Sequence, residues 1–328
     1  MISARDITMF LHNRYGVIFL SLVAIVGIFF AGSHGLVSHI PGEYGLIVTS
    51  PNNWLAPGTT STVLCIIMNL MVALSAISLN KQYNTMRSLS MLVAGGFMIM
   101  QLATPSALGI FNGSAVMAVG ISILAMLLFS IFSDYANSRR VFLIFFLLSS
   151  FSLFEYSFLF YVPIMLLGLR QMRVFNLRTF TASIIGIITP WWILFGFGLI
   201  TLADIRVPHF ISVMAAINSP GIWYQLIVIG ITIIVGITFM MMNAIKMLSY
   251  NSRIRAANGF LVSLMLATML FIFVDYNNFM VYLTLLNILV AYQIGHYFAT
   301  RIQSYNSYIG ILSMLLIYLA LFAGRFIL

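Results

Sequence analysis

Long apolar runs separated by short polar links follow one another along almost the whole chain. A membrane helix needs about 20 apolar residues to cross a hydrocarbon core of roughly 30 Å. The runs lie at 15–32, 58–79, 88–103, 113–133, 141–169, 179–202, 222–245, 257–274, 279–298 and 305–324. This periodicity predicts an all-α, polytopic transmembrane bundle. Because the links are short, we expect one integral membrane domain over 1–328.

Composition supports a membrane protein and excludes several other classes. Of the 328 residues, 62% are apolar and 6% are charged, whereas a soluble domain carries about 25% charged residues. The net charge of +9 is spread singly between the runs and forms no basic face, so no nucleic acid is expected as a partner. The only cysteine, Cys65, provides neither a disulfide framework nor a thiolate metal cluster.

The distribution of positive charge predicts how the chain is threaded. If the 141–169 run returns to the side from which it enters, thirteen of the fifteen Lys and Arg residues share one side, and only Arg206 and Arg325 lie opposite. If that run crosses once, the division becomes eight against seven. Cytoplasmic loops carry the excess of Lys and Arg. The rule therefore favours a returning hairpin, with the amino terminus cytoplasmic and the carboxyl terminus on the outer side.

The residues inside the 141–169 run agree with a hairpin. Its middle is the polar stretch 149–157 around Glu155. This leaves arms of about 13 and 16 residues, which would rise roughly 20 and 24 Å as helices and are too short for full spans. We therefore predict nine full spans plus one returning half-helix hairpin, or about 10–11 membrane segments.

Glu155 and the outer loops supply the candidate functional residues. A carboxylate at membrane depth costs on the order of 2.5–3.5 kcal/mol unless it is paired or hydrated, so such a residue is a functional candidate by default. General acid–base groups combined with a cation suit an anionic leaving group or headgroup. The candidate catalytic residues are Glu43 and Glu155, and the candidate substrate-binding residues are Glu155, Asp204, Arg206, His209, Asp275 and Asn278.

Simpler interpretations of the same residues stay open. Loop side chains are polar wherever they meet water, Asp204 and Arg206 can neutralise each other, and the Asp275–Asn278 stretch fits a tight turn. The chain contains neither a P-loop nor a His-Glu-x-x-His helix. His34 and His39 are five residues apart, which does not place two metal ligands on one helical face. We predict no metal site and no cofactor.

The stretch from 134 to about 200 resembles a family of uncharacterised inner-membrane proteins of Gram-negative bacteria. The resemblance rests on 134–140, on 163–169, on the link Arg173-Val174-Phe175-Asn176-Leu177-Arg178, and on Gly186 with Thr189-Pro190-Trp191. It implies a bacterial inner-membrane location. Members are sometimes labelled beta-carotene monooxygenases, but apolar helices with five scattered histidines do not form a propeller with an iron held by several histidines.

A second similarity is architectural. Glycosyltransferases that act on lipid-linked sugars also have about ten helices and place an acid in the first outer loop, the position that Glu43 occupies here. Their Asp-Asp or Asp-x-Asp signature is absent, so glycosyltransferase-like activity is an open alternative without a diagnostic motif. Fold-level likeness does not establish function.

Three functions remain open at this point. The first is an inner-membrane protein of envelope biogenesis that handles a membrane lipid or a lipid-linked anionic substrate, such as a lipid-linked saccharide, in an outer-facing cavity floored by the Glu155 hairpin. The second is a proton- or ion-coupled transporter or flippase. Transporters of that kind show paired broken helices, and the sequence indicates only one. The third is a non-catalytic scaffold or assembly partner.

Overall fold

A computed structural model describes residues 4–37, 45–86, 90–135, 137–216, 222–299 and 305–326. The structure is 79% helical, and its described residues contain no β-strand. The helices are α1 (Ala4–Leu11), α2 (Arg14–Ser33), α3 (Thr59–Tyr83), α4 (Leu92–Leu102), α5 (Pro105–Gly109), α6 (Gly113–Phe129), α7 (Ser138–Ser152), α8 (Val162–Gln171), α9 (Leu177–Gly196), α10 (Val213–Ala216), α11 (Ile222–Met247), α12 (Ser252–Val274), α13 (Phe279–Ala299) and α14 (Tyr305–Gly324). Four 3₁₀ segments join them at Pro51–Asn53, Tyr156–Tyr161, Leu202–Asp204 and Tyr276–Asn278.

The all-α architecture is confirmed, and the apolar helices are consistent with a multi-pass membrane protein, but the count of nine full spans is not confirmed. Among the described residues, six helices are long and apolar enough to cross a membrane: α2, α3, α9, α11, α12 and α13, the last with the turn before it. Three further apolar helices are shorter, namely α4, α6 and the Tyr308–Gly324 part of α14. The 11 residues of α4 rise only about 16 Å.

The predicted interruption of the 141–169 run is present. Helix α7 ends at Ser152, Glu155 has an extended backbone, and the 3₁₀ segment Tyr156–Tyr161 leads into α8. The two ends of the run meet, because the Ser133 N–H donates to the Met172 carbonyl oxygen at 3.0 Å. The chain therefore returns to the side from which α7 starts.

Helix α9 then runs beside α7 in the same direction. Near their starts, Asn176 Nδ2 donates to the Tyr135 carbonyl oxygen at 3.5 Å, and further along Ser149 Oγ donates to that of Ile187 at 2.7 Å. Asn176 also caps α9, because its side chain accepts from the Thr179 N–H while the Thr179 side chain accepts from the Asn176 N–H. This capping box explains the role of the Asn in the Arg-x-Phe-Asn-x-Arg link, because it fixes the start of α9.

A second break separates α4 from α5. The 88–103 run was expected to be a full span and ends where predicted, but α4 covers only Leu92–Leu102, and a new short helix starts at Pro105 after Thr104, which is not helical. Proline lacks an N–H and pushes the preceding residue out of the helical region. Leu102 packs at the level of Gly27 in α2. Since α2 continues six residues further, α4 stops about 9 Å below the outer end of α2.

Helix α13 is the centre of the bundle. It packs against α4, α6, α11 and α12, and every residue of α13 except Tyr297 is buried. Close approach depends on small residues, as expected where helices pack inside a membrane. A Cβ placed on Gly236 of α11, for example, would lie 2.8 Å from the Val290 side chain.

The contact between α7 and α9 yields a stability prediction. A Cβ on Gly186 would lie 2.7 Å from the Phe142 carbonyl oxygen, whereas a Cβ on Gly196 in the same helix meets nothing within 4 Å. We expect Gly186→Ala to destabilise the purified protein by about 1–3 kcal/mol through overpacking. Gly196→Ala, the matched control, should leave the thermal midpoint unchanged or slightly higher. Equal midpoints for the two variants would contradict this packing.

Candidate functional site

Glu155 lies in a buried polar site at the outer end of the hairpin. Its side chain is 2% exposed. Oε1 accepts hydrogen bonds from Ser157 Oγ and Asn278 Nδ2, both at 2.9 Å, and Oε2 accepts one from Ser50 Oγ at 3.4 Å. These three donors are neutral, and no basic side chain of the described residues forms an ion pair with this carboxyl group.

The start of α6 forms one wall of this site. A Cβ on Gly113, the first residue of α6, would lie 3.2 Å from Glu155 Oε2. The Gly113 N–H donates to Asn52 Oδ1 at 2.6 Å. A helix amino terminus carries a partial positive charge, so it favours a nearby carboxylate. Glycine is needed here because any larger side chain would press on the Glu155 carboxyl group.

Asp275 is the second buried acid of the site. It follows the last residue of α12, and its Oδ2 accepts hydrogen bonds from the hydroxyl groups of Tyr156 and Tyr282, both at 2.8 Å. Asn278 links the turn that contains Asp275 to the hairpin. Its N–H donates to the Asp275 carbonyl oxygen at 3.2 Å, and its Nδ2 donates to Ser157 Oγ at 2.8 Å as well as to Glu155. The structure thus brings together three predicted site residues: Glu155, Asp275 and Asn278.

Two outer segments cover this site. The Ile47 and Val48 N–H groups both donate to the Leu153 carbonyl oxygen, at 3.1 and 3.0 Å. The loop that follows α9 lies over them, since the Arg206 N–H donates to the Leu46 carbonyl oxygen at 2.9 Å and the Tyr276 N–H to that of Ile211 at 2.8 Å. The carboxyl groups are therefore shielded from the aqueous phase at this end of the bundle.

The other predicted substrate-binding residues lie on the covering loop. Asp204, Arg206 and His209 are exposed. Asp204 Oδ2 accepts hydrogen bonds from the Thr201 N–H at 2.7 Å and the Thr201 hydroxyl group at 2.8 Å, which lower the pKa of Asp204. Its side chain therefore caps a turn. Glu43, the other catalytic candidate, and His39 lie outside the described residues.

A second buried polar cluster was missed in the sequence. It consists of Asn69 on α3, Gln101 on α4, Ser114 on α6, and Thr284 and Asn287 on α13, each at most 1% exposed. Gln101 Nε2 donates to Asn69 Oδ1 at 2.7 Å and to Thr284 Oγ1 at 2.8 Å. Asn287 Nδ2 donates to Gln101 Oε1, and Thr284 Oγ1 donates to Ser114 Oγ, both at 2.8 Å. We name this set the amide cluster.

An apolar groove lies between the carboxyl end of α2 and the start of α3, and we name it the outer groove after the side that the sequence predicts for these ends. Its volume is about 290 Å³. The lining residues are Ile28, Phe29, Gly32, Ser33, Val37, Pro57, Gly58, Thr59, Thr62, Gly109 and Ile110. None of them belongs to the hairpin. The groove is thus not the predicted cavity floored by Glu155, because Glu155 is enclosed by the covering segments.

Comparison with known proteins identifies no relative of this chain. No family model, no curated protein and no solved structure matches the chain. In the described part of the chain, no group of three or more His, Cys, Asp or Glu side chains is placed to hold a metal ion. The Glu155 site, the amide cluster and the outer groove are therefore the features that bear on function.

The hydrogen bonds of Glu155 generate a stability prediction. Glu155→Leu leaves the Ser157 hydroxyl group and the Asn278 amide without their acceptor, so we expect a loss of about 1–3 kcal/mol. Glu155→Gln keeps one oxygen for these donors, and its amide can donate to Ser50 Oγ, so most of the stability should remain. Thermal unfolding in detergent measures both. A Leu variant as stable as the Gln variant would contradict these contacts.

Proposed function

We propose that this integral membrane protein handles a lipid or lipid-linked anionic substrate at its outer face, as a component of envelope biogenesis in a bacterial inner membrane. The outer groove is the observation that supports this function best. It has apolar walls, and the covering loop over the neighbouring Glu155 site exposes Arg206 and His209.

The dimensions and lining of the outer groove fit part of a lipid. Binding sites for small molecules usually span about 300–1,000 Å³, so a groove of about 290 Å³ suits a segment of a single hydrocarbon chain. Ile28, Phe29 and Val37 supply apolar walls, and the hydroxyl groups of Ser33 and Thr59 lie among them. An apolar chain with a polar group near the membrane surface matches this lining.

Basic side chains at this end of the bundle suit the anionic part of such a substrate. His34 follows Ser33 at the outer end of α2, and its ring contacts the Phe326 ring with centroids 5.5 Å apart. Arg325, beside Phe326, lies over the Tyr224 ring at 5.0 Å. Arg206 is exposed on the covering loop. Arginine side chains bind phosphate groups through several N–H donors.

Filling the outer groove tests this function. Gly32 lines the groove, and a Cβ there meets nothing within 4 Å, so Gly32→Leu should occupy the groove without a clash. A Cβ on Gly230 of α11 also meets nothing within 4 Å, and Gly230 does not line the groove. Gly230→Leu is therefore a matched control for helix propensity and added bulk.

The readout is mass spectrometry of lipids that copurify with the protein extracted in native membrane patches. We expect a polyprenyl phosphate or glycolipid to be enriched with wild type and Gly230→Leu, and to fall at least about tenfold with Gly32→Leu, which corresponds to about 1.4 kcal/mol. Bulk phospholipid alone, in equal amounts for all three proteins, would refute lipid handling at the groove.

A transporter is the second candidate, and the second helix interruption favours it. Transporters bind substrates and ions where broken helices meet near the middle of the bilayer. Here the breaks after α4 and α7 lie on either side of the start of α6. Asn112, which caps α6, donates from Nδ2 to the carbonyl oxygens of Ser106 and Ala107 in α5, while Gly113 borders Glu155.

Cysteine labelling tests the proposed orientation. The native cysteine, Cys65, is fully buried, so it should not react with the label. His209 and Ser249 are exposed on loops predicted to face opposite sides. In intact spheroplasts, a membrane-impermeant maleimide should label His209→Cys and leave Ser249→Cys unlabelled. Both should react after the membrane is permeabilised. Labelling of Ser249→Cys in intact spheroplasts would show that the orientation is the reverse of the one proposed.

A further inference from the structure

We propose that the amide cluster binds a small monovalent cation, with Na⁺ as the probe ion. This inference goes beyond lipid handling and rests on different residues from those of the outer groove. Its basis is the convergence of amide and hydroxyl oxygens from four helices beside the interrupted end of α4.

The oxygen atoms of the cluster come from separate elements of the fold. Asn69 Oδ1, Gln101 Oε1 and Thr284 Oγ1 are linked by hydrogen bonds of 2.7–2.8 Å that involve the Gln101 and Asn287 amides. Carbonyl-type and hydroxyl oxygens are hard ligands that suit alkali and alkaline-earth cations. The described contacts place no carboxylate within the cluster itself. Divalent cations prefer carboxylate ligands, so a neutral set favours a monovalent cation.

One oxygen of the cluster lacks a partner. Asn287 is 1% exposed, and its Oδ1 accepts no hydrogen bond from any described residue, although its Nδ2 is bonded to Gln101. A buried acceptor left without a partner costs about 1–3 kcal/mol. A bound cation would satisfy this oxygen, and the Gln101 side chain that Asn287 contacts carries the nearest described amide oxygen, Oε1.

One helix end and a buried acid near the cluster favour a cation, and they oppose the partial positive charge at the start of α6, where Ser114 lies. Gln101 is the second-last residue of α4, and the carboxyl end of a helix carries a partial negative charge. Thr284 Oγ1 is bonded to Ser114, the residue after Gly113, and Gly113 borders the Glu155 carboxyl group. The Glu155 carboxyl group, which forms no ion pair with a described residue, therefore lies on the other side of the start of α6. Two further hydrogen bonds lie beside Gly113, one from Ser50 Oγ to Glu155 Oε2 and one from the Gly113 N–H to Asn52 Oδ1.

The test compares Na⁺ with an organic cation in the purified full-length protein. Thermal midpoints are measured in detergent across 0–100 mM NaCl, balanced with N-methylglucamine chloride at constant ionic strength, because a ligand that binds only the folded state raises the midpoint. We expect Na⁺ to raise the midpoint of wild type. In Asn287→Leu, the Na⁺ concentration that gives half of this rise should increase at least about tenfold.

A matched control removes an equivalent amide elsewhere. Asn258 is also fully buried, its Oδ1 also lacks a partner among the described residues, and its Nδ2 bonds only the Thr85 carbonyl oxygen. Asn258→Leu should keep the wild-type response to Na⁺. Asn287→Asp retains an oxygen at the site and adds charge, so this variant should respond at lower Na⁺ than wild type, and it serves if Asn287→Leu does not fold.

Two outcomes would overturn the inference. One is a wild-type midpoint that is the same in Na⁺ and in the organic cation, which would leave Asn287 Oδ1 with a bound water only. The other is a Na⁺ response that Asn287→Leu and Asn287→Asp leave unchanged, since the cation would then bind elsewhere. The Gly32→Leu variant should keep the Na⁺ response, which separates this inference from lipid handling.

Discussion

The hydrogen bond from Asn278 Nδ2 to Glu155 Oε1 is the interaction on which the rest of the outer half depends. It joins the tip of the hairpin to the 3₁₀ segment that leads into the central helix α13. A polar group buried in a membrane bundle has little water to bond, so it must be satisfied internally. The Ser50, Ser157, Tyr156 and Tyr282 hydroxyl groups donate further hydrogen bonds to the two acids. The hairpin, the first outer loop and the α12–α13 turn are thus held in one arrangement by buried polar contacts.

Much of the fold could be predicted because its signals are local. The polar stretch around Glu155 marked the hairpin, and the one-sided distribution of Lys and Arg indicated that it returns. For the 88–103 run the sequence indicated where the run ends but not that its helix is short, since residues 92–102 are uniformly apolar or neutral and only Pro105 marks the break that follows.

The site was predicted in part for the same reason. A charged residue within an apolar run stands out, so Glu155, Asp275 and Asn278 could be selected from the sequence. Asp204, Arg206 and His209 were grouped with them only because they share the outer side, and the structure places them on the loop above. Asn69, Gln101, Thr284 and Asn287 belong to three helices and are uncharged, so no spacing rule identifies them as neighbours. Their association is a property of tertiary packing alone.

The segment 109–114 connects the three features on which the proposals rest. Gly109 and Ile110 line the outer groove, Gly113 lies against Glu155, and Ser114 accepts the hydrogen bond from Thr284 in the amide cluster. The groove shares this short connection with the two polar sites, but none of its lining residues belongs to either of them. Lipid handling and cation binding are therefore compatible in one molecule and need not be competing functions.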